Sequence, residues 1–189
     1  MSTWLVALIV GLGSGVLGTF ARIAHERGAE LRSRMLDASD DFVTALTRAR
    51  SELGLAVWPV MNAVAARREG ARHEEREALA EAAFRAANAA FTEADGRVPR
   101  VTLLFGVGSE AAEAARRASQ SLGAGVVHLA RIRATGGYEE DDGRDIAEIV
   151  IECSESEEKC GVQLDEFSRA ARRAIAWTSK LGGRSGLPT

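Results

Sequence analysis

The sequence predicts a mainly α protein, an N-terminal transmembrane helix followed by a helical bundle of about four helices. Three observations carry this. Residues Thr3 to Ala21 form an uncharged apolar run of 19 residues. Elsewhere apolar residues recur at alternating spacings of four and three, the period of one helix face. The chain also holds 34 alanines, the best helix former, while aromatics make up only 5%. A core built from Ala, Leu, Val and Ile suits helices packed at short separations.

As a helix rising about 1.5 Å per residue, the opening run is about 28 Å long, close to the roughly 30 Å hydrocarbon core of a bilayer. A secretory signal peptide fits poorly. No Lys or Arg precedes the run, and Phe20-Ala21-Arg22-Ile23 offers no small-residue cleavage site. Gly13-x-Gly15-x-x-Gly18 after Leu5 to Val10 has the form of a dinucleotide-binding turn. Against that form, Arg22 and His25 stand where the following helix should face a sheet. Glu30 to Met35 carries charge on alternate residues, where a buried parallel strand should be continuously apolar. In a membrane the same region reads as a packing seam. Gly11, Ser14, Gly15 and Gly18 place small residues along one face, which lets two helix backbones approach closely, so the seam offers a homodimer through the anchor. Arg22, Arg27, Arg32 and Arg34 follow within about 15 residues. Basic flanks stay inside, so the expected placement is single-pass in the inner (plasma) membrane, N-terminus outside and C-terminal domain cytoplasmic. The expected division is an anchor at 1–24, a bundle at 25–182 with an acidic loop or insertion at 136–160, and a flexible tail at 183–189.

The anchor is expected to continue into a juxtamembrane helix, where Leu31, Met35, Ala38, Phe42, Ala45 and Ala49 form a heptad-like, coiled-coil stripe. This stripe docks on later helices or pairs two chains. Gly54 and Pro59 interrupt it, Pro59 suiting the first turn of a new helix. The charged stretch Arg67 to Glu77 reads as solvated. From Ala78 to Ala94, Leu79, Ala83, Ala86, Ala90 and Ala94 share one face with Phe84 and Phe91 beside it. Asp95-Gly96 stops that helix, Gly96 suiting a left-handed cap. Val101, Leu104, Phe105, Gly108, Ala111, Ala112, Ala115 and Leu122 fit a further helical stripe. The alternative makes Val101 to Phe105 a strand with a phosphate turn at Gly106-x-Gly108, but no Lys follows, so it is not a P-loop. Val126 to Ala130 and Ala147 to Cys153 fit helix or strand. Leu164 to Leu181 is helical through Leu164, Phe167, Ala171, Ala174, Ile175 and Leu181.

The formal net charge is −3, unevenly spread. Glu139 to Glu166 holds twelve acids against two bases, whereas Phe167 to Thr189 holds Arg169, Arg172, Arg173, Lys180 and Arg184 with no acid. Arg169, Arg172, Arg173 and Lys180 are therefore candidate contacts to an anionic leaflet, with internal pairing the plainer account. No basic face with interleaved aromatics appears, so nucleic acid is not an expected partner. Cys153 and Cys160 stand seven apart and make no CxxC pattern; a reducing compartment would keep them as free thiols. His25, His73 and His128 form no HExxH. No catalytic, cofactor or metal-binding constellation is expected.

Three blocks add a resemblance. They are Met1 to Phe42, including Gly15-Val16-Leu17-Gly18 and Ala29-Glu30-Leu31-Arg32-Ser33-Arg34-Met35-Leu36; Arg100-Val101-Thr102-Leu103-Leu104-Phe105-Gly106; and Gln163-Leu164-Asp165-Glu166-Phe167-Ser168-Arg169-Ala170-Ala171. Together they resemble a group of actinobacterial single-span membrane proteins with a cytoplasmic helical domain. The resemblance implies a membrane helix followed by a helical bundle and carries no activity with it. Gly136 to Cys160 departs from that pattern. The expected function is a membrane-anchored scaffold or accessory protein acting through protein contacts. The rivals are a nucleotide-binding α/β domain and an anionic-lipid-binding module using the basic C-terminal helix.

Overall fold

A computed structural model describes residues 3–70, 74–135 and 146–183; side chains are described for 26–67, 69–70, 74–134 and 148–178. Five helices account for them: α1 (Thr3–Arg68), α2 (Glu74–Asp95), α3 (Val98–Phe105), α4 (Glu110–Thr135) and α5 (Ile146–Gly183). The mainly α expectation holds. Among the described residues no helix is long and apolar enough to cross a membrane. Thr3 to Ala21 lies inside α1, and its side chains, Gly11, Ser14, Gly15 and Gly18 included, fall outside the described residues.

Cross-helix pairs define the topology. Arg67 pairs with Glu77 and Arg48 with Glu93, so α2 runs antiparallel to α1. Arg50 pairs with Glu157 and Arg32 reaches Thr178, so α5 also runs antiparallel to α1. Arg117 meets Glu166, Ser121 meets Gln163 and Arg173 meets Glu110 across the antiparallel α4 and α5. The four long helices form an up-down-up-down bundle, and the short α3 turns the chain from α2 into α4.

On α1 the buried positions Met35, Ser39, Phe42, Leu46, Ala49, Leu53, Ala56, Val60 and Ala63 keep alternating three and four apart. The stripe therefore passes through Gly54 and Pro59, which the sequence reading took as interruptions. Pro59 lies within α1. It removes the amide partner of the Leu55 carbonyl, and Leu55 is on the exposed side, where water can satisfy that oxygen. Continuous burial on one face outweighs one lost bond on the other.

On α2 the buried face is Ala80, Ala87, Ala90 and Ala94, flanked by the half-buried Ala83, Phe84 and Phe91, while Leu79 is exposed. The face is rotated from the one read in the sequence. Alanine sits on nearly every side of this helix, so pattern alone leaves its phase open. At the end of α2, Gly96 does not take the left-handed conformation expected of it. Its N–H bonds Thr92 O and the Arg97 N–H bonds Ala94 O, a tight turn leading straight into α3. The positive φ values fall at Gly70, Gly106 and Gly108. Gly106 and Gly108 break the expected single helix from Val101 to Leu122 into α3 and α4. Ser109 then caps α4, its Oγ accepting the Ala112 N–H at 3.1 Å.

The stretches weighed as strands, 101–105, 126–130 and 147–153, are all helical. The expected acidic loop at 136–160 is helical from Ile146 onward; residues 136–145 lie outside the described residues. The core centres on Phe42, which meets Phe167 edge-on at 5.0 Å between ring centroids, with Phe105 also edge-on to Phe167 at 6.2 Å. A Cβ on Gly125 would stand 2.6 Å from Leu53 Cδ2, and one on Gly161 would stand 2.8 Å from Arg50 Nη1. At Gly161 the near atom is the end of a flexible arginine that can move aside, whereas at Gly125 buried Leu53 and Ser156 close in, so glycine at 125 is what lets α1, α4 and α5 approach so closely.

Candidate functional site

Several grooves open among the described residues, two of them lined by paired charges. The first, of about 500 Å³, lies where α4 begins beside α5, between Glu110, Glu113, Arg117, Glu166, Arg169 and Arg173. Its charges are matched in number and largely paired. Arg173 bonds Glu110 at 2.8 Å, Arg117 bonds Glu166 at 3.2 Å, and Arg116 bonds Glu113 at 3.1 Å. Serving as a cleft for a charged ligand would mean breaking ion pairs that already bridge α4 and α5.

The first groove also receives two of the basic residues singled out in the sequence, Arg169 and Arg173. Arg173 is held by Glu110, while Arg169 Nε donates to Asp165 O at 3.3 Å and Arg172 Nε to Ser168 O at 3.1 Å. The structure thus gives Arg173 an internal partner, the plainer of the two expectations. Arg169, at the groove, and Arg172 remain exposed. The side chain of Lys180 is outside the described residues.

The second groove lies at the opposite end, near the α1 to α2 turn, beside Arg67, Glu77, Glu81 and Arg133. Arg67 forks onto both Glu77 oxygens and donates to the Arg133 carbonyl at 3.2 Å. Arg133 bonds Glu81 and stacks over Phe84, 4.5 Å from the ring centroid. The bond from Arg85, backed by Arg133, holds the Glu81 carboxyl below its ordinary range. The bond from Glu77 raises Arg67 further still. This network ties α1, α2 and α4 together. Sequence reading missed it, because Glu81 and Arg133 sit on different helices with no shared spacing.

Between α4 and α5, His128 Nδ1 lies 3.1 Å from Glu152 Oε2, both atoms sealed from solvent. One residue along, Cys153 Sγ donates to Gly125 O at 3.6 Å. Burial pushes the Cys153 and Cys160 thiols up to about 11, so at neutral pH both are protonated. A protonated, buried thiol is a small apolar filler rather than a nucleophile. Among the described residues no group of three or more His, Cys, Asp or Glu could hold a metal ion.

Some large apolar side chains also stand on the surface. Leu55, Trp58, Leu103 and Val107 are exposed at 68%, 72%, 82% and 86%. Leu103 and Val107 flank the Gly106 turn on the α3 cap. On α3, Val101 and Phe105 are drawn toward the core while Leu103 faces out. No family model, no curated protein and no solved structure matches the chain.

Proposed function

We propose that the chain is a single-pass inner-membrane protein whose helical bundle stands on the cytoplasmic side as a scaffold or accessory subunit, acting through protein contacts. The observation that carries this is the uncharged run Thr3 to Ala21, followed by four arginines within the next turns. The continuity of α1 from Thr3 to Arg68 supports it, because a single helix links the run to the bundle without a joint. The apolar side chains on the α3 cap and at Leu55 and Trp58 support a role in contacts, since exposed apolar surface is where partners bind.

The test compares the full chain with a version lacking residues 1–24, each expressed in bacterial cells. The full chain is expected in the membrane fraction after alkaline carbonate washing, and the shortened one in the supernatant. Full-length protein released by carbonate overturns the anchor. Cross-linking in intact cells then tests the contact role: adducts at cysteines placed at Leu103 or Val107, absent from cysteines placed at Glu155, support it.

A further inference from the structure

The charges of α5 are sorted along its length. Before Phe167 the helix carries seven acids and one base, Lys159, and after Phe167 only bases. Four of these charges share one exposed face: Glu155 and Arg169 stand two heptads apart, as do Glu158 and Arg172. Glu158 and Arg169 are eleven residues, about 16 Å, apart, too far to neutralise each other within the helix. Arg169 and Arg172 bond main-chain oxygens of their own helix, and Glu155 is held by Lys159 at 3.0 Å. Among the described residues Glu158, Arg169 and Arg172 form no ion pair.

Reversal makes this face complementary to itself. Glu158 and Arg169 have the same midpoint along the chain as Glu155 and Arg172. A second α5 laid antiparallel in that register therefore sets Glu158 against Arg169 and Glu155 against Arg172, each twice by symmetry. The same midpoint sets Ile151 against Ala176, with Trp177 beside it, and brings Val162 next to the axis. Ile151, Val162 and Trp177 are each more than half exposed, so apolar contact falls at the centre and both ends with the charge pairs between. Asp165, opposite Val162, has no base across from it; a polar residue in a helix seam costs stability and fixes register. Laid parallel, the face sets acid on acid and base on base, which repels. A face complementary only to its own reverse selects a second copy of the chain.

We infer that this face of α5 is the seam of an antiparallel homodimer, held by Glu155, Glu158, Arg169 and Arg172. The seam does not depend on the anchor proposed above, but it limits how the two combine. Because α1 runs antiparallel to α5, the two α1 helices of a pair point opposite ways. Neighbours anchored in one bilayer therefore do not form the seam, and a cysteine at Glu155 stays unlinked between them. Copies in facing bilayers, or in detergent micelles, can meet.

The test is sedimentation equilibrium of the full chain in mild detergent, where copies can take any orientation, with circular dichroism to show that each variant folds. The unaltered chain is expected to dimerise as its concentration rises. Glu155→Arg with Glu158→Arg makes the four positions all basic, and Arg169→Glu with Arg172→Glu makes them all acidic. Each double change should raise the dimer dissociation constant at least about tenfold, because four exposed ion pairs give way to repulsion. All four changes in one chain reverse the sorted order, keep the net charge and should restore dimerisation. Glu74→Arg with Glu75→Arg on α2, which shifts the net charge as the first double change does, should leave the dimer unaltered. A monomer at every concentration overturns the seam, as does a fourfold variant that stays monomeric. A dimer that survives both double changes is held elsewhere, through the opening run for instance, and overturns it too. The carbonate test of the anchor is independent of all these results.

Discussion

A Cβ built on Gly125 would lie 2.6 Å from Leu53 Cδ2 and 3.2 Å from Ser156 Cβ. Leu53 is 1% exposed and cannot swing away. Gly125→Ala gains about 1 kcal/mol of helix propensity and meets an overpacking penalty of about 1 to 3 kcal/mol. The expected net is destabilisation by about 1 kcal/mol. Gly54 is the counter-case: it is exposed, and its added Cβ meets the Glu157 carboxylate at an ordinary 3.4 Å. Gly54→Ala should stabilise by about 0.5 to 1 kcal/mol. Urea titration of both variants reads the two signs directly, and the same sign for both would refute this account of the close approach.

The buried thiols predict an alkaline weakness. An unfolded cysteine loses its proton near pH 8.5, whereas Cys153 and Cys160 hold theirs to about 11. Between those values the unfolded chain binds fewer protons than the folded one, so stability falls as pH rises. Each thiol is expected to lower the folding equilibrium about tenfold per pH unit through that window. Below pH 8 the thiols contribute no slope. Cys153→Ala with Cys160→Ala should flatten the decline in melting temperature between pH 9 and 11, although it removes packing at every pH.

Two arginines of similar appearance should differ in weight. Arg173 and Glu110 are 71% and 78% exposed, so Arg173→Ala should change stability by less than about 0.5 kcal/mol. Arg133 is 35% exposed and covers the Phe84 ring. Arg133→Ala should lose about 1 kcal/mol from that stacking alone. Thermal melts of the two variants at low and high salt separate them: the smaller effect should vanish in salt, and the larger should persist.

The helices were legible where residues of contrasting size share a face. Met35, Phe42 and Ala49 on α1, and Leu164, Phe167 and Ala171 on α5, read correctly as buried stripes. The phase of α2 was not legible, because Leu79 and Ala80 are neighbours in an alanine-rich helix and only the packing of α1 and α4 decides between them. Gly54 and Pro59 misled for the opposite reason. They are strong local breakers, yet Leu53, Ala56 and Val60 on the buried face hold the helix together. Nor could the sequence show that Arg173 meets Glu110, since that pair depends on how far α4 has slid along α5. The turn at Gly106 and Gly108 was legible only within the strand alternative, although two glycines so close seldom sit inside one helix; the break is real, and the segment before it is helical.

Phe42 and Phe167 face each other from near the beginning and near the end of the chain. Ribosomes add about 5 to 20 residues per second, so Phe42 waits about 6 to 25 seconds for its partner to be made. Through that interval the apolar stripe of α1 has no final cover, and a message cut short before α5 would yield a product that cannot bury it.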